Sequence, residues 1–239
     1  AITIPAGVNF NCNAMLFNFL SDRTIPCVTA NYYTVVGRLL VDCLQGTGVK
    51  SAGGGGSGTA TQAHNRWIDI RLWHVGTTVG SDNSQYAGIT ITGFHHEIDS
   101  LWIKGANVGA YHNAGHDSVI KSAYFCGCNT AISMNSTDNT TYLMARLDAC
   151  GTSSGAPGAD LYNRCSYCRL NIIAFSYVTG ANLSHVVQVG KTVAGTNKSL
   201  YIDVQANNTG GCGLYVDYTA DSIFRLIASN VQDTGINTP

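Results

Sequence analysis

Apolar and polar positions alternate along this chain in short runs, and the runs recur. In residues 67–73, Ile68, Ile70 and Leu72 share one parity while Trp67, Asp69, Arg71 and Trp73 share the other, the period-two signature of a half-buried strand. The parity predicts an aliphatic inward face and a chemically rich outward one. The same reading turns Leu143, Ala145 and Leu147 inward with Arg146 and Asp148 outward, and Leu200, Ile202 and Val204 inward with Tyr201, Asp203 and Gln205 outward. Residues 118–134 present the unit most clearly. A β-type run, with Ile120, Ser122, Tyr124 and Cys126 expected inward, leads through a small-residue turn to a second β-type run.

With Ile68, Ile89, Ile120, Leu143, Leu170, Leu200 and Phe224 as equivalent anchors, the steps are 21, 31, 23, 27, 30 and 24 residues. No window of a dozen residues carries sustained helical spacing with a good cap, so the chain reads as all-β. A propeller blade needs about 40 residues, and a sandwich favours two-residue hairpins such as Asn-Gly, whereas steps of this size fit one turn of a coil. Parallel crossovers are almost always right-handed. The expected fold is therefore a right-handed single-stranded parallel β-helix with rungs about 4.8 Å apart. Residues 1–31 read as a cap or first partial rungs, and 32–239 as one continuous domain. Within it, residues 46–66, with four glycines at 53–56, read as a protruding loop that lacks the Gly-Lys-Ser/Thr ending of a phosphate cradle. The start at Ala1 reads as a segment cut from a longer polypeptide.

Composition narrows the partners. Charged residues make up only 11 % of the chain, against about 25 % in ordinary domains, and the net charge of −1 provides no basic footprint for nucleic acid. No apolar run approaches the roughly 18 residues of a membrane span, so membrane insertion is not expected. Nine cysteines leave at least one unpaired, and several fall in β-type runs where cysteine packs as a small hydrophobe, so reduced thiols are expected. Cys126, Cys128, Cys165 and Cys168 could supply four thiolates, but the first pair is tighter than the usual zinc hook. No metal and no other cofactor is expected.

The run-turn-run pattern of residues 119–134 and 200–218, with the opening Ile2-Thr3-Ile4-Pro5-Ala6-Gly7-Val8, resembles the pectate-lyase-like parallel β-helix proteins. Within that group it looks most like bacteriophage tailspikes and tail fibres, over Ile2 to about Asn237. The resemblance implies a homotrimer on the virion tail, outside the cell, that binds and often cleaves a bacterial surface polysaccharide. The calcium-binding acidic cluster of the pectate lyases proper has no counterpart that can be placed in this sequence.

Glycan hydrolysis needs two carboxylates, and Glu97 is the single glutamate among 14 acidic residues. Glu97 and Asp99, with His95 and His96, form the densest titratable cluster and are expected in an exposed turn; the competing reading is a solvated turn. Asp69 and Asp148 complete the candidate catalytic carboxylates. Trp67, Trp73, Trp102, Arg71, Lys121 and Arg146, with His95 and His96, are the candidate substrate contacts, because aromatic faces stack on sugar rings while charged forks hold hydroxyls. Surface ion pairs or a subunit interface would explain the same residues. His112 and His116, in an expected loop, have the spacing of a helical zinc pair without its glutamate, and His112 is kept as a groove residue. Depolymerase and non-enzymatic receptor-binding fibre both remain open.

Overall fold

A computed structural model describes the chain except residues 54, 57–58, 61, 80–81, 152–155, 176–184, 191–195, 208–212, 218, 230–235 and 238–239, and the side chains of 55–56, 59–60, 62–63 and 236–237. The described residues are all-β, without a helix, and a large sheet holds strands joined only by parallel pairings. In one stack, Val35–Asp42 pairs with Gln62–Trp73, which pairs with residues 97–104, then 119–126, Thr141–Asp148, Arg169–Phe175, Tyr201–Asn207 and Ile223–Ser229. A second stack runs from Ile2–Ile4 through Val28–Ala30 and Val49–Ala52 to residues 89–92. It continues through residues 106–113, 128–135, Ala159–Asn163, Val187–Val189 and Leu214–Val216. Single bridges join His116, Asp138, Ser166 and Lys198 in a third column.

The registers line up inward residues into ladders. Trp67, Ile98, Ile120, Tyr142, Leu170 and Ile202 form one column, and Leu72, Ile103, Phe125, Leu147, Ala174 and Ala206 another. All are buried, and burying each large aliphatic side chain is worth about 1.5–3 kcal/mol. The true steps are 22, 28, 31 or 32 residues, as cross-rung side-chain contacts repeat.

Several sequence expectations are corrected. From Val35–Asp42 to Thr141–Asp148 each strand places two successive residues outward between inward ones, so parity flips within the strand. Trp67 is therefore buried and Ile68 is 42 % exposed, while Leu143 turns out and Tyr142 takes its inward place. Ser122 and Tyr124 point outward and Cys126 is only half-buried, whereas Ala123, Phe125 and Cys128 are inside. Ile89 belongs to the second stack, so Ile98 is the anchor equivalent to Ile120. The stretch 46–66 is not all loop. Val49–Ala52 is a sheet strand, and Gly55–Gly56 pairs antiparallel with Thr59–Ala60. His112 lies in a strand rather than a loop, because Asn113 joins a ladder in which Asn135 Nδ2 donates to Asn113 Oδ1 and Asn163 Nδ2 to Asn135 Oδ1, each at 3.0 Å.

The stacks are separated by columns of left-handed residues. Before the first stack come Tyr33, His64, His95, Asp117, Asn139, Tyr167, Ser199 and Asp221, with φ between 44° and 59°. Asn, Asp and His tolerate this region better than most residues, which favours them at a corner that recurs each turn. The next residue of the first seven corners turns inward, giving a buried column of Thr34, Asn65, His96, Ser118, Thr140, Cys168 and Leu200, while Ser222 after Asp221 is only half-buried.

Candidate functional site

The outward face of the first stack carries the richest chemistry. Register places Arg71, Trp102, Tyr124 and Arg146 in one outward column, and Cys126, Asp148 and Phe175 in the next. Trp73 meets Trp102 at 5.2 Å between ring centroids, and Trp102 stacks on Tyr124 at 6.0 Å. The Arg146 guanidinium lies over both the Tyr124 ring at 5.6 Å and the Phe175 ring at 5.1 Å. A half-exposed aromatic and cationic strip thus crosses successive rungs. The Tyr124 hydroxyl donates to Asp148 Oδ2 at 2.8 Å, and burial with that carboxylate pushes its pKa up to about 12.

Beside the strip lies a charge network. Lys121 Nζ reaches both Glu97 Oε1 and Asp99 Oδ1 at 2.5 Å, and Arg66 Nη2 holds Asp99 Oδ2 at 2.9 Å. The two carboxylate oxygens sharing Lys121 are therefore no more than about 5 Å apart, at or below the short limit of the about 5–5.5 Å between the carboxyl groups of retaining glycosidases. Lys121, then Arg66, hold Asp99 below the usual carboxylate range, so Asp99 is an ionised group rather than a proton donor. The network opens onto a pocket of about 320 Å³ at the corner, lined by Arg66, Glu97, His64, His95 and Asp117 among others. His64 and His95 stack at 4.6 Å with ring planes 8° apart, and His95 Nε2 lies 4.0 Å from Asp117 Oδ2.

No family model, curated protein or solved structure matches this chain. The sequence-predicted site residues are accordingly placed by geometry alone. Glu97, Asp99, Lys121 and His95 come together, and Trp73, Trp102, Arg146 and Asp148 gather on the neighbouring strip. Asp69 does not join Asp148. Three inter-strand steps, about 14 Å, separate their rungs, and Asp69 instead contacts Arg71 Nε at 3.2 Å.

Three predicted contacts are interior residues. Trp67 is buried and its indole Nε1 donates to Ser51 Oγ at 2.9 Å. His96 is buried against Ser51 and the Thr92 carbonyl, and burial lowers its pKa to about 4. His112 is buried against Tyr142, Nε2 to hydroxyl at 2.7 Å, and burial lowers its pKa to about 3. None of the three presents its side chain on the outward face. Sequence reasoning missed Arg66, Asp117, Tyr124 and Phe175; the 22- and 31-residue register that aligns Arg66 with Glu97, and Tyr124 with Trp102, would have found the first and third. Among the described residues no cluster of three or more His, Cys, Asp or Glu could hold a metal ion.

Proposed function

We propose that the chain is a right-handed parallel β-helix of the tailspike or tail-fibre kind, and that it binds a bacterial surface polysaccharide along the outward face of its first stack. The observation that carries this is the strip Trp73–Trp102–Tyr124–Arg146–Phe175, whose rings lie in partial exposure on consecutive rungs. Aromatic faces take the apolar faces of sugar rings, and flanking charged groups take hydroxyls. Three registered columns and recurrent left-handed corners support a closed coil. Assembly as a homotrimer and a place on the virion tail belong to this proposal through the family resemblance.

The test is tryptophan fluorescence titration with capsular and O-antigen polysaccharides of candidate hosts. Binding should quench emission, and Trp102→Ala should weaken it at least about five-fold, the loss of about 1 kcal/mol or more with one buried aromatic contact. A polysaccharide bound equally well by Trp102→Ala would sink the proposal.

Cleavage is the second reading, favoured by the spacing of Glu97 and Asp99 across Lys121. Glu97 borders the pocket and shares Lys121 with the ionised Asp99, so these are the two carboxylates to test. New reducing ends released by the wild type and lost in Glu97→Gln, with binding retained, would establish it; a bound polysaccharide that is never cut would reject it.

A further inference from the structure

The aromatic strip changes character along its length. Trp73 and Trp102 make it purely aromatic at one end, whereas at the other the Arg146 guanidinium sits over the rings of Tyr124 and Phe175, 5.6 and 5.1 Å from their centroids. Contacts of this kind engage the flat face of a guanidinium and leave its five N–H donors for other partners. Arg146 is exposed, and among the described residues its N–H groups make no hydrogen bond and no ion pair. It is held in place and unanswered.

The acids of this face, by contrast, are already engaged. Lys121 and Arg66 hold Glu97 and Asp99, Arg71 holds Asp69, Arg225 holds Asp203, and Asp148 accepts from the Tyr124 hydroxyl. Lys104 adds a second unanswered cation: it is exposed in the outward column of Cys126 and Asp148 and forms no ion pair among the described residues. The strands of the first stack hold most of the chain's Lys and Arg but fewer than half of its Asp and Glu, so the face is cationic although the chain's net charge is −1. A planar fork with unused donors matches a carboxylate, which takes two parallel N–H bonds where a hydroxyl takes one.

We propose that the strip selects acidic polysaccharides, with Arg146 receiving the carboxylate of an acidic sugar, Lys104 adding positive charge, and a ring of the same glycan stacking at Trp102. The inference rests on the glycan-binding reading and deepens it by naming the substrate class. Arg146 lies two inter-strand steps from Trp102, about 10 Å along the stack, so the acid and the stacked ring belong to different units of one extended chain.

The test compares each polysaccharide with its own neutral form. Capsular and O-antigen polysaccharides of candidate hosts are titrated by tryptophan fluorescence as isolated and after carbodiimide activation and borohydride reduction, which turns each carboxylate into a primary alcohol and leaves phosphate in place. Those that quench should carry carboxylates, and reduction should weaken their binding about ten-fold, the loss of a hydrogen bond to a charged group. In Arg146→Gln the isolated and reduced forms should bind alike, and Arg146→Lys, which keeps the charge without the fork, should restore only part of the difference. Trp102→Ala should weaken both forms and leave their ratio near ten, which separates stacking from charge. Quenching by a polysaccharide without carboxylates, equal binding after reduction, or a ratio unchanged in Arg146→Gln overturns the acidic class and leaves the strip standing. No quenching by any polysaccharide removes the strip, and the acidic class with it.

Discussion

At the scale of single residues, Ser51 is the clearest device. Its hydroxyl meets Asn65 Nδ2 at 3.2 Å, Trp67 Nε1 at 2.9 Å and His96 Nδ1 at 2.8 Å, all buried. The first two can only donate, so the serine proton must go to His96 Nδ1, and the imidazole proton sits on Nε2, facing the Thr92 carbonyl at 3.0 Å. His96 is thereby fixed as neutral. Ser51→Ala would strand two donors and one acceptor and should lower stability by about 2–4 kcal/mol in urea denaturation, whereas exposed Ser122→Ala should stay within about 0.5 kcal/mol. The depressed folded pKa also sets a pH dependence. The unfolded imidazole takes its proton near 6.5 and the folded one only near 4, so stability present above pH 6.5 is lost as pH falls towards 4. The loss is on the order of 3 kcal/mol for this histidine, and His112 extends it to lower pH. A urea midpoint constant from pH 7 to 4 would contradict the neutral, buried assignment.

At the scale of elements, the corners decide where strands bend. Gly105, Gly127 and Ala149 occupy one column through the registered pairs Lys104–Cys126 and Cys126–Asp148, all with positive φ. A Cβ added at Gly127 would meet nothing within 4 Å, so its cost is backbone strain alone. Gly127→Ala should destabilise by about 1 kcal/mol and Ala149→Gly should be neutral or stabilising by a similar amount, measured as opposite shifts in melting temperature. This column also explains what was legible in the sequence. Short β-type runs, turns at small residues and an all-β fold follow from local chemistry, because Gly, Asn and Asp relieve left-handed corners and β-branched residues suit strands. Strand parity did not follow, since two adjacent outward residues leave no local mark: Ile68 and Leu143 are as apolar as their inward neighbours. The buried histidines were read as surface chemistry because polarity was taken for exposure, and only the partners Ser51 and Tyr142, 45 and 30 residues away, reverse it. Glu97 and Asp99 were legible as neighbours in sequence, but the pairing of both with Lys121, 22 or more residues on, follows only from the register of consecutive rungs.

At the scale of the whole molecule, each strand gains its partners from the rungs on either side, so stability is distributed along the stack as nearest-neighbour terms. The middle rungs are covered on both sides: Ile98, Ile103, Ile120 and Phe125 are buried. The ends are not. Phe17 and Phe19 are exposed near a pocket of about 310 Å³ lined by Ile2, Leu16 and Val28, and Ile223–Ser229 leaves Ile223 exposed with Phe224 and Leu226 only partly buried. Hydrogen exchange should therefore fall in a gradient, slowest at residues 97–104 and 119–126, fastest at Met15–Phe17 and Ile223–Ser229. One common rate for every protected amide would mean a single cooperative unit and reject the nearest-neighbour account. The gradient bears on binding as well. Trp102, Tyr124 and the Glu97–Lys121 pair stand on the rungs expected to open least, a rigid platform that would spare the proposed polysaccharide ligand the cost of ordering its own site. The strip runs on to Phe175, nearer the less covered strands. A polysaccharide bound along it should slow exchange in Arg169–Phe175 more than in residues 97–104, and the reverse order would place the ligand elsewhere on the face.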